Sequence, residues 1–247
     1  MGLNETEAII LRTYNLAEAD KIVVCLTRDF GVVRAVAHGA RRLKSRFGAG
    51  LEPFTIVALA YYEKEGRELV TLRQAEILKS FFGLAKSTEI VSALAYMSEL
   101  VIEFAPPNEP NEKVFRMIRA ILLSLAQAPS DVSALVRYFE VWILKLSGFF
   151  PDLYRCADCG KRFDERSAIF FSGEFRPRCA VCSQGSGIVI DDKGQNLLRS
   201  AQKLPPLEFV EAARSLNEKQ RSEVYDIVQF IIRRTIERRP LTQLSLN

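Results

Sequence analysis

Cys156, Cys159, Cys179 and Cys182 form the pattern C-x2-C-x19-C-x2-C, which ties two separated segments of chain to one point. Each pair can deliver two thiolates to one tetrahedral ion, the arrangement of a structural zinc site. Gly160 follows the first pair and Ser183 to Gly187 follow the second, so small residues stand where the backbone must fold back under a metal. Glycine makes such turns without strain. Arg155, Lys161, Arg162, Arg176 and Arg178 crowd the same segment and supply counter-charges for a thiolate cluster of net negative charge. Redox dithiols or two disulfides are the competing readings of the cysteines. With all four positions occupied by thiolates, a bound zinc holds a fold together and does not activate water. One structural Zn2+ per chain is the expectation.

The chain has 247 residues, enough for two or three modules, and 48% apolar residues are enough for real cores. No apolar run approaches the ~18 residues of a membrane span. Glu5 and Glu7 stand where a signal peptide would carry basic residues, so a cytoplasmic protein is expected. The net charge of +4 does not by itself argue for nucleic acid, so its distribution has to carry the question. No acidic residue occurs between Asp29 and Glu52, whereas Arg34, Arg41, Arg42, Lys44 and Arg46 all fall there.

From Glu5 to about Ser80 the chain reads as strands: Ala8 to Tyr14, Lys21 to Thr27, Val32 to Ala37, Phe54 to Tyr62 and Glu68 to Leu78. β-branched and aromatic residues dominate these runs, and Asp29-Phe30-Gly31 and Lys64-Glu65-Gly66 punctuate them as turns. Five short strands in so little chain suggest a small barrel, most often an OB-fold, whose curved face commonly binds oligonucleotides. After Phe82 the period becomes helical, with Ile90, Val91, Leu94, Met97, Leu100, Val101 and Phe104 on one stripe until Pro106-Pro107. A second helix is expected after the cap Asn111, and a third from Ser130 to Gly148. Helical patterning resumes near Asp192, where Asp191-Asp192 suits a cap. A last helix carries Asn217 and Gln220 as a capping box and the apolar face Val224, Ile227, Val228, Ile231 and Ile232. The expected class is α+β: an OB-fold barrel over 1–80, a helical domain over 81–148 and 188–247, and an inserted four-cysteine zinc ribbon over 149–187.

The segment Gly39 to Gly50 spaces Arg41, Arg42, Lys44 and Arg46 among small, flexible residues, so the cations can spread along a phosphate backbone. Phe47 could add a stacking face. Arg233, Arg234, Arg238 and Arg239 near the end of the last helix favour its dipole or form a second phosphate patch. Catalysis is poorly supported. The one histidine, His38, is all that any Ser-His-Asp or Cys-His arrangement could use, and it is followed by Gly39-Ala40, not by the glutamate of a zinc deaminase. No G-x4-G-K-[ST] phosphate loop occurs, which argues against ATP-driven work. Cys25 sits in an apolar strand pattern as a small core residue. A zinc-ribbon protein whose basic loop recognises an acidic protein tail is the alternative from another functional class.

Gly39 to Phe54, GARRLKSRFGAGLEPF, resembles the signature between the third and fourth barrel strands of the bacterial recombination mediator family RecO, and Leu69 to Glu76, LVTLRQAE, resembles the segment that closes its barrel. The resemblance extends over nearly the whole chain. It implies a non-enzymatic repair protein that binds single- and double-stranded DNA, anneals complementary strands, and works with RecR and the single-stranded-DNA-binding protein to help RecA load. It places DNA contacts at Arg41, Arg42, Lys44 and Arg46, with Arg34 added from charge and position.

Overall fold

The computed structural model describes residues 2–64, 66, 68–164, 167–171, 176–236 and 240. Five strands form a closed barrel: β1 (Gly2–Leu16), β2 (Asp20–Thr27), β3 (Gly31–Ala37), β4 (Ile56–Glu63) and β5 (Val70–Lys79), in the order β1-β2-β3-β5-β4. All neighbours are antiparallel except β3 and β5. The strand alternation sends Ala8, Ile10, Val23, Cys25, Val33, Ala35, Leu59, Tyr61 and Leu72 inward to a common core. β1 is longer than its apolar run because its first half pairs with β4 and its second half with β2, with a register shift between Ile10 and Arg12. Such a bulge bends a strand so that one chain can serve both edges of a small barrel.

Part of the barrel's outer wall is also buried, at Ile9, Leu11, Val24, Leu26, Val32 and Ile56. Helix α1 (Thr88–Phe104) lies against β1, and the Ser98 hydroxyl donates to the Leu11 carbonyl at 3.1 Å. Pro107 bridges to Val32, and the Asn108 N–H donates to the Val32 carbonyl at 3.2 Å. Gly31, at φ +68°, is required there: a β-carbon would stand 2.1 Å from the Glu109 carbonyl oxygen. Ser87 caps α1, and its expected stripe is buried or half-buried except Val91, which is 44% exposed. Asn111 caps α2 (Glu112–Gln127) by accepting from the Val114 N–H at 3.1 Å. The residues through Pro129 form one compact unit, so α1 and α2 group with the barrel.

Ser130–Pro240 form a second compact unit. Its first helix, α3 (Val132–Leu146), ends at Gly148, which takes the left-handed conformation at φ +80°. A small sheet follows, of β6 (Ile169–Phe171), β7 (Pro177–Arg178) and β8 (Ile188–Ile190) in the order β7-β6-β8, with the single turn α4 (Ala180–Ser183) between its last two strands. Next come α5 (Asp192–Ala201), capped by Asp191, then α6 (Pro206–Arg214), then α7 (Glu218–Thr235), which carries the complete Asn217–Gln220 capping box. Trp142 Nε1 donates to the Ala201 carbonyl at 2.7 Å and Tyr138 to the Leu204 carbonyl at 3.1 Å, which docks α3 on the turn after α5. Arg233 and Arg234 occupy the last turn of α7, while Arg238 and Arg239 lie outside the described residues. Among the described residues, no helix is long and apolar enough to cross a membrane.

Candidate nucleic-acid interface and metal centre

The basic segment is the connection between β3 and β4, and its ends are held. At its root, Asp20 of β2 accepts the Gly39 N–H at 2.8 Å and pairs with His38 Nδ1 at 2.7 Å. The Gly39 N–H and then His38 hold the Asp20 carboxyl below its usual range, with a smaller contribution from the Arg42 charge. Arg41 adds two bonds to the same β1–β2 turn: its N–H reaches the Ala19 carbonyl and its guanidinium the Ala17 carbonyl, each at 2.9 Å. His38 is thus one member of a loop-root clamp.

At the far end Phe47 is only 3% exposed and sits with Leu51 in the barrel core. This corrects the expectation that Phe47 offers a stacking face: the barrel end needs an apolar plug, and the ring fills it. Its partner outside is Arg46, whose guanidinium lies 4.8 Å from the ring centroid and donates to the Leu72 carbonyl at 3.2 Å. Between the two anchors, turns closed by Arg42 N–H to Gly39 O (3.1 Å) and Ser45 N–H to Arg42 O (2.9 Å) present Arg41, Arg42, Leu43 and Lys44 to solvent. Arg34 is exposed on the barrel wall, between the inward side chains of Val33 and Ala35. None of Arg34, Arg41, Arg42, Lys44 and Arg46 forms a salt bridge with a carboxylate among the described residues. Among the described residues the segment's cations are thus not held in ion pairs, although the Arg42 charge is felt by the Asp20 carboxylate at the loop root.

In the second unit, the four cysteines converge. The sulfurs of Cys156, Cys159, Cys179 and Cys182 all lie within 4.8 Å of one another, and those of Cys159 and Cys179 are 3.9 Å apart. A tetrahedron built on zinc–sulfur bonds of ~2.3 Å has edges of about 3.8 Å, so the donor set fits such an ion. The first pair sits on a turn closed by the Gly160 N–H to Cys156 O bond at 2.9 Å, with Gly160 at φ +71°. In the second, Cys179 begins α4, and the left-handed position is taken by Gln184 before Gly185. Burial pushes the Cys156 thiol up, but the N–H groups of Cys159, Cys179 and Asp158 outweigh it and bring it down to about 6. Cys182 is pushed up to about 12 by the thiols of Cys179 and Cys159. Four thiols this close do not all ionise without a cation among them, which is what a divalent metal supplies.

The arginines around the cluster are arranged differently from the expected counter-charges. Arg178 pairs with Asp158 at 2.8 Å and Arg176 with the same carboxylate at 3.6 Å, so Asp158, a residue sequence reasoning passed over, shares them. Arg155 and Arg162 face each other across a backbone bridge and are exposed. Cys25 is fully buried, and burial pushes its thiol up to about 12, which fits a core residue with no reactive role.

Residues 1–81 match the family described as Recombination protein O N terminal, and residues 87–245 match Recombination protein O C terminal. The chain belongs to the RecO family. It is 38% identical over 165 residues to the DNA repair protein RecO of Koribacter versatilis (strain Ellin345), an alignment covering 67% of each chain. With the DNA repair protein RecO of Anaeromyxobacter sp. (strain K) it shares 33% over 177 residues, 72% of this chain and 69% of the other. With that of Symbiobacterium thermophilum it shares 34% over 191 residues, 75% of each. The join between the two RecO matches falls before α1, whereas the first compact unit extends through α2 to Pro129.

Proposed function

We propose that this RecO-family chain is a DNA-binding recombination mediator in DNA repair, and that Arg34, Arg41, Arg42, Lys44 and Arg46 are its phosphate contacts. The observation that carries the proposal is the β3–β4 loop: pinned at both ends on a closed barrel, exposed between them, and free of salt-bridge partners among the described carboxylates. Cations so placed meet phosphate oxygens of any sequence, releasing counterions as they do so. Binding of this kind serves single and double strands alike, and screening two backbones at once lets complementary strands approach and anneal. The partners on this reading are RecR and the single-stranded-DNA-binding protein, with RecA loaded onto the strand that is handed over. The protein acts without hydrolysing ATP or cleaving DNA, in the cytoplasm and at the nucleoid. Cys156, Cys159, Cys179 and Cys182 hold one structural Zn2+, which supplies a fixed fold and no reaction.

The test is a titration of single-stranded DNA against salt. The four loop contacts alone give a slope of log affinity on log salt near −3, and Arg34 brings it to about −3.5, at roughly −0.7 per contact. Arg42→Ala with Lys44→Ala should reduce its magnitude by about 1.4 and weaken all sequences equally. Unchanged affinity and slope in that double variant would remove the loop from the DNA path and leave recognition of an acidic protein tail as its use.

A further inference from the structure

Leu43, at the tip of the basic loop, is the most exposed large apolar side chain among the described residues, at 107%. The other large apolar residues of the same connection, Phe47 and Leu51, are each 3% exposed in the barrel core, so the segment sends two of its apolar side chains inward and one outward. The backbone holds Leu43 there. It is a central residue of the turn closed by the Ser45 N–H to the Arg42 carbonyl at 2.9 Å, and the turn before it is closed by the Arg42 N–H to the Gly39 carbonyl at 3.1 Å. Arg41 ties one side of this tip to the Ala17 and Ala19 carbonyls, and the buried Phe47 ties the other. A leucine on so fixed a base is presented, not carried on a loose strand.

Cations stand on both sides of it in the chain, Arg41 and Arg42 before it and Lys44 and Arg46 after it, all exposed and none in a salt bridge among the described residues. The order cation, apolar tip, cation is complementary to a duplex groove, where a phosphate backbone runs on each side and apolar base faces lie between. The minor groove, about 6 Å wide, takes side chains and not whole elements. Aliphatic wedges that enter it part the base steps and kink the duplex. An apolar pocket on a protein would have to strip water from the flanking charges to reach the leucine, and one leucine offers a lipid surface too little apolar area. A single strand has no paired stack to part.

We propose that Leu43 is a wedge that enters the base stack of a duplex while the cations beside it hold the two backbones. The proposal rests on the DNA-binding reading of the loop and adds to it a distortion of paired strands that charge alone does not produce. Cations and leucine therefore have separate signatures: the cations set the salt slope, the leucine the shape of the bound duplex. Parting a step costs least where pairing is already poor, so the wedge also makes a mismatched duplex a better ligand than a perfect one.

The experiment binds the full chain to a short duplex with 2-aminopurine at its centre and a dye pair at its ends for energy transfer. The parent should raise the 2-aminopurine fluorescence and draw the ends together by a kink of roughly 20–90°. It should also prefer a centrally mismatched duplex by about tenfold. Leu43→Ala should abolish all three effects while leaving the salt slope and the single-strand affinity unchanged. Leu43→Met keeps a long aliphatic chain and should behave like the parent. Both substitutions fall on a fully exposed turn residue, and protection of the barrel amides checks that each variant is folded. A bound duplex that stays stacked and straight, or distortion that survives Leu43→Ala, would overturn the proposal. So would a Leu43→Ala variant that loses binding to the single-stranded-DNA-binding protein while still distorting DNA, which would assign the leucine to a protein contact. If Arg42→Ala with Lys44→Ala lowers the salt slope while Leu43→Ala changes nothing, this proposal alone fails. If neither has any effect on either DNA, the DNA-binding reading fails with it.

Discussion

Phe47 offers the sharpest test of how the basic loop is built, because a stacking role and an anchoring role demand opposite outcomes. Its ring is 3% exposed in the barrel core beside Leu51, with Arg46 lying over it. Phe47→Ala removes a buried aromatic ring from a site framed by β-strands that cannot collapse inward, so the loss should be about 3–5 kcal/mol. For a unit of this size that lowers the midpoint of barrel unfolding by roughly 10–20 °C. Phe47→Leu keeps most of the plug and should cost less than about 2 kcal/mol. Thermal unfolding followed through the exchange of barrel amides measures both. DNA titration at 10 °C, far below either transition, then isolates binding. An anchor predicts near-parental affinity for Phe47→Leu, whereas a stacking ring predicts a loss of about tenfold at unchanged stability. That second outcome would refute the placement of Phe47 in the core and restore it to the binding surface.

Gly31→Ala forces a left-handed residue, costing roughly 1–2 kcal/mol, and sets a β-carbon 2.1 Å from the Glu109 carbonyl oxygen. The denaturant midpoint should fall by more than the backbone cost alone, and an unshifted midpoint would contradict the tight approach of residues 106–109 to β3. The Asp20 carboxyl is held below 3.8 by the Gly39 N–H and His38, so its contribution to the loop root is present above pH 3.8 and is lost as pH falls through the lowered value. The Gly39 amide resonance should titrate with a midpoint below 3.8, and a midpoint at or above that value would dismiss the clamp. Asp20→Asn should loosen the loop amides at neutral pH while the barrel amides stay protected. Cys156→Ser should abolish the one equivalent of zinc proposed here and loosen residues 149–187, leaving the barrel folded. Elemental analysis finding no zinc in freshly purified, reduced protein would end that idea.

What the sequence made legible follows from how local each determinant is. Strand alternation in Lys21 to Thr27 and Val32 to Ala37, and the cap at Asn111, are written within a few residues, and the elements appear at or within a residue or two of those places. The full length of β1 was not legible. Gly2 to Glu7 carry too little alternation of their own and become strand by pairing with Ala58 to Glu63 of β4, far along the chain. The helix α6 was missed for a similar reason: Pro205-Pro206 reads as a break, yet a proline in the first turn loses no hydrogen bond and starts the helix.

The candidate site divides along the same line. Charge is visible in the chain, so Arg34, Arg41, Arg42, Lys44 and Arg46 could be picked out before any fold was known, and the structure leaves all five exposed. Burial of a single aromatic in a polar loop is not visible, because it depends on an opening at the barrel end that only closure of β1 onto β4 creates. That is why Phe47 was assigned to the surface. Nor does the clamp announce itself: Asp20 lies eighteen positions from His38 and meets it only through the antiparallel register of β2 and β3. Residue type names the chemistry of a cation wherever it falls, but a contact between strands is a property of register, and register becomes known only when the sheet is closed.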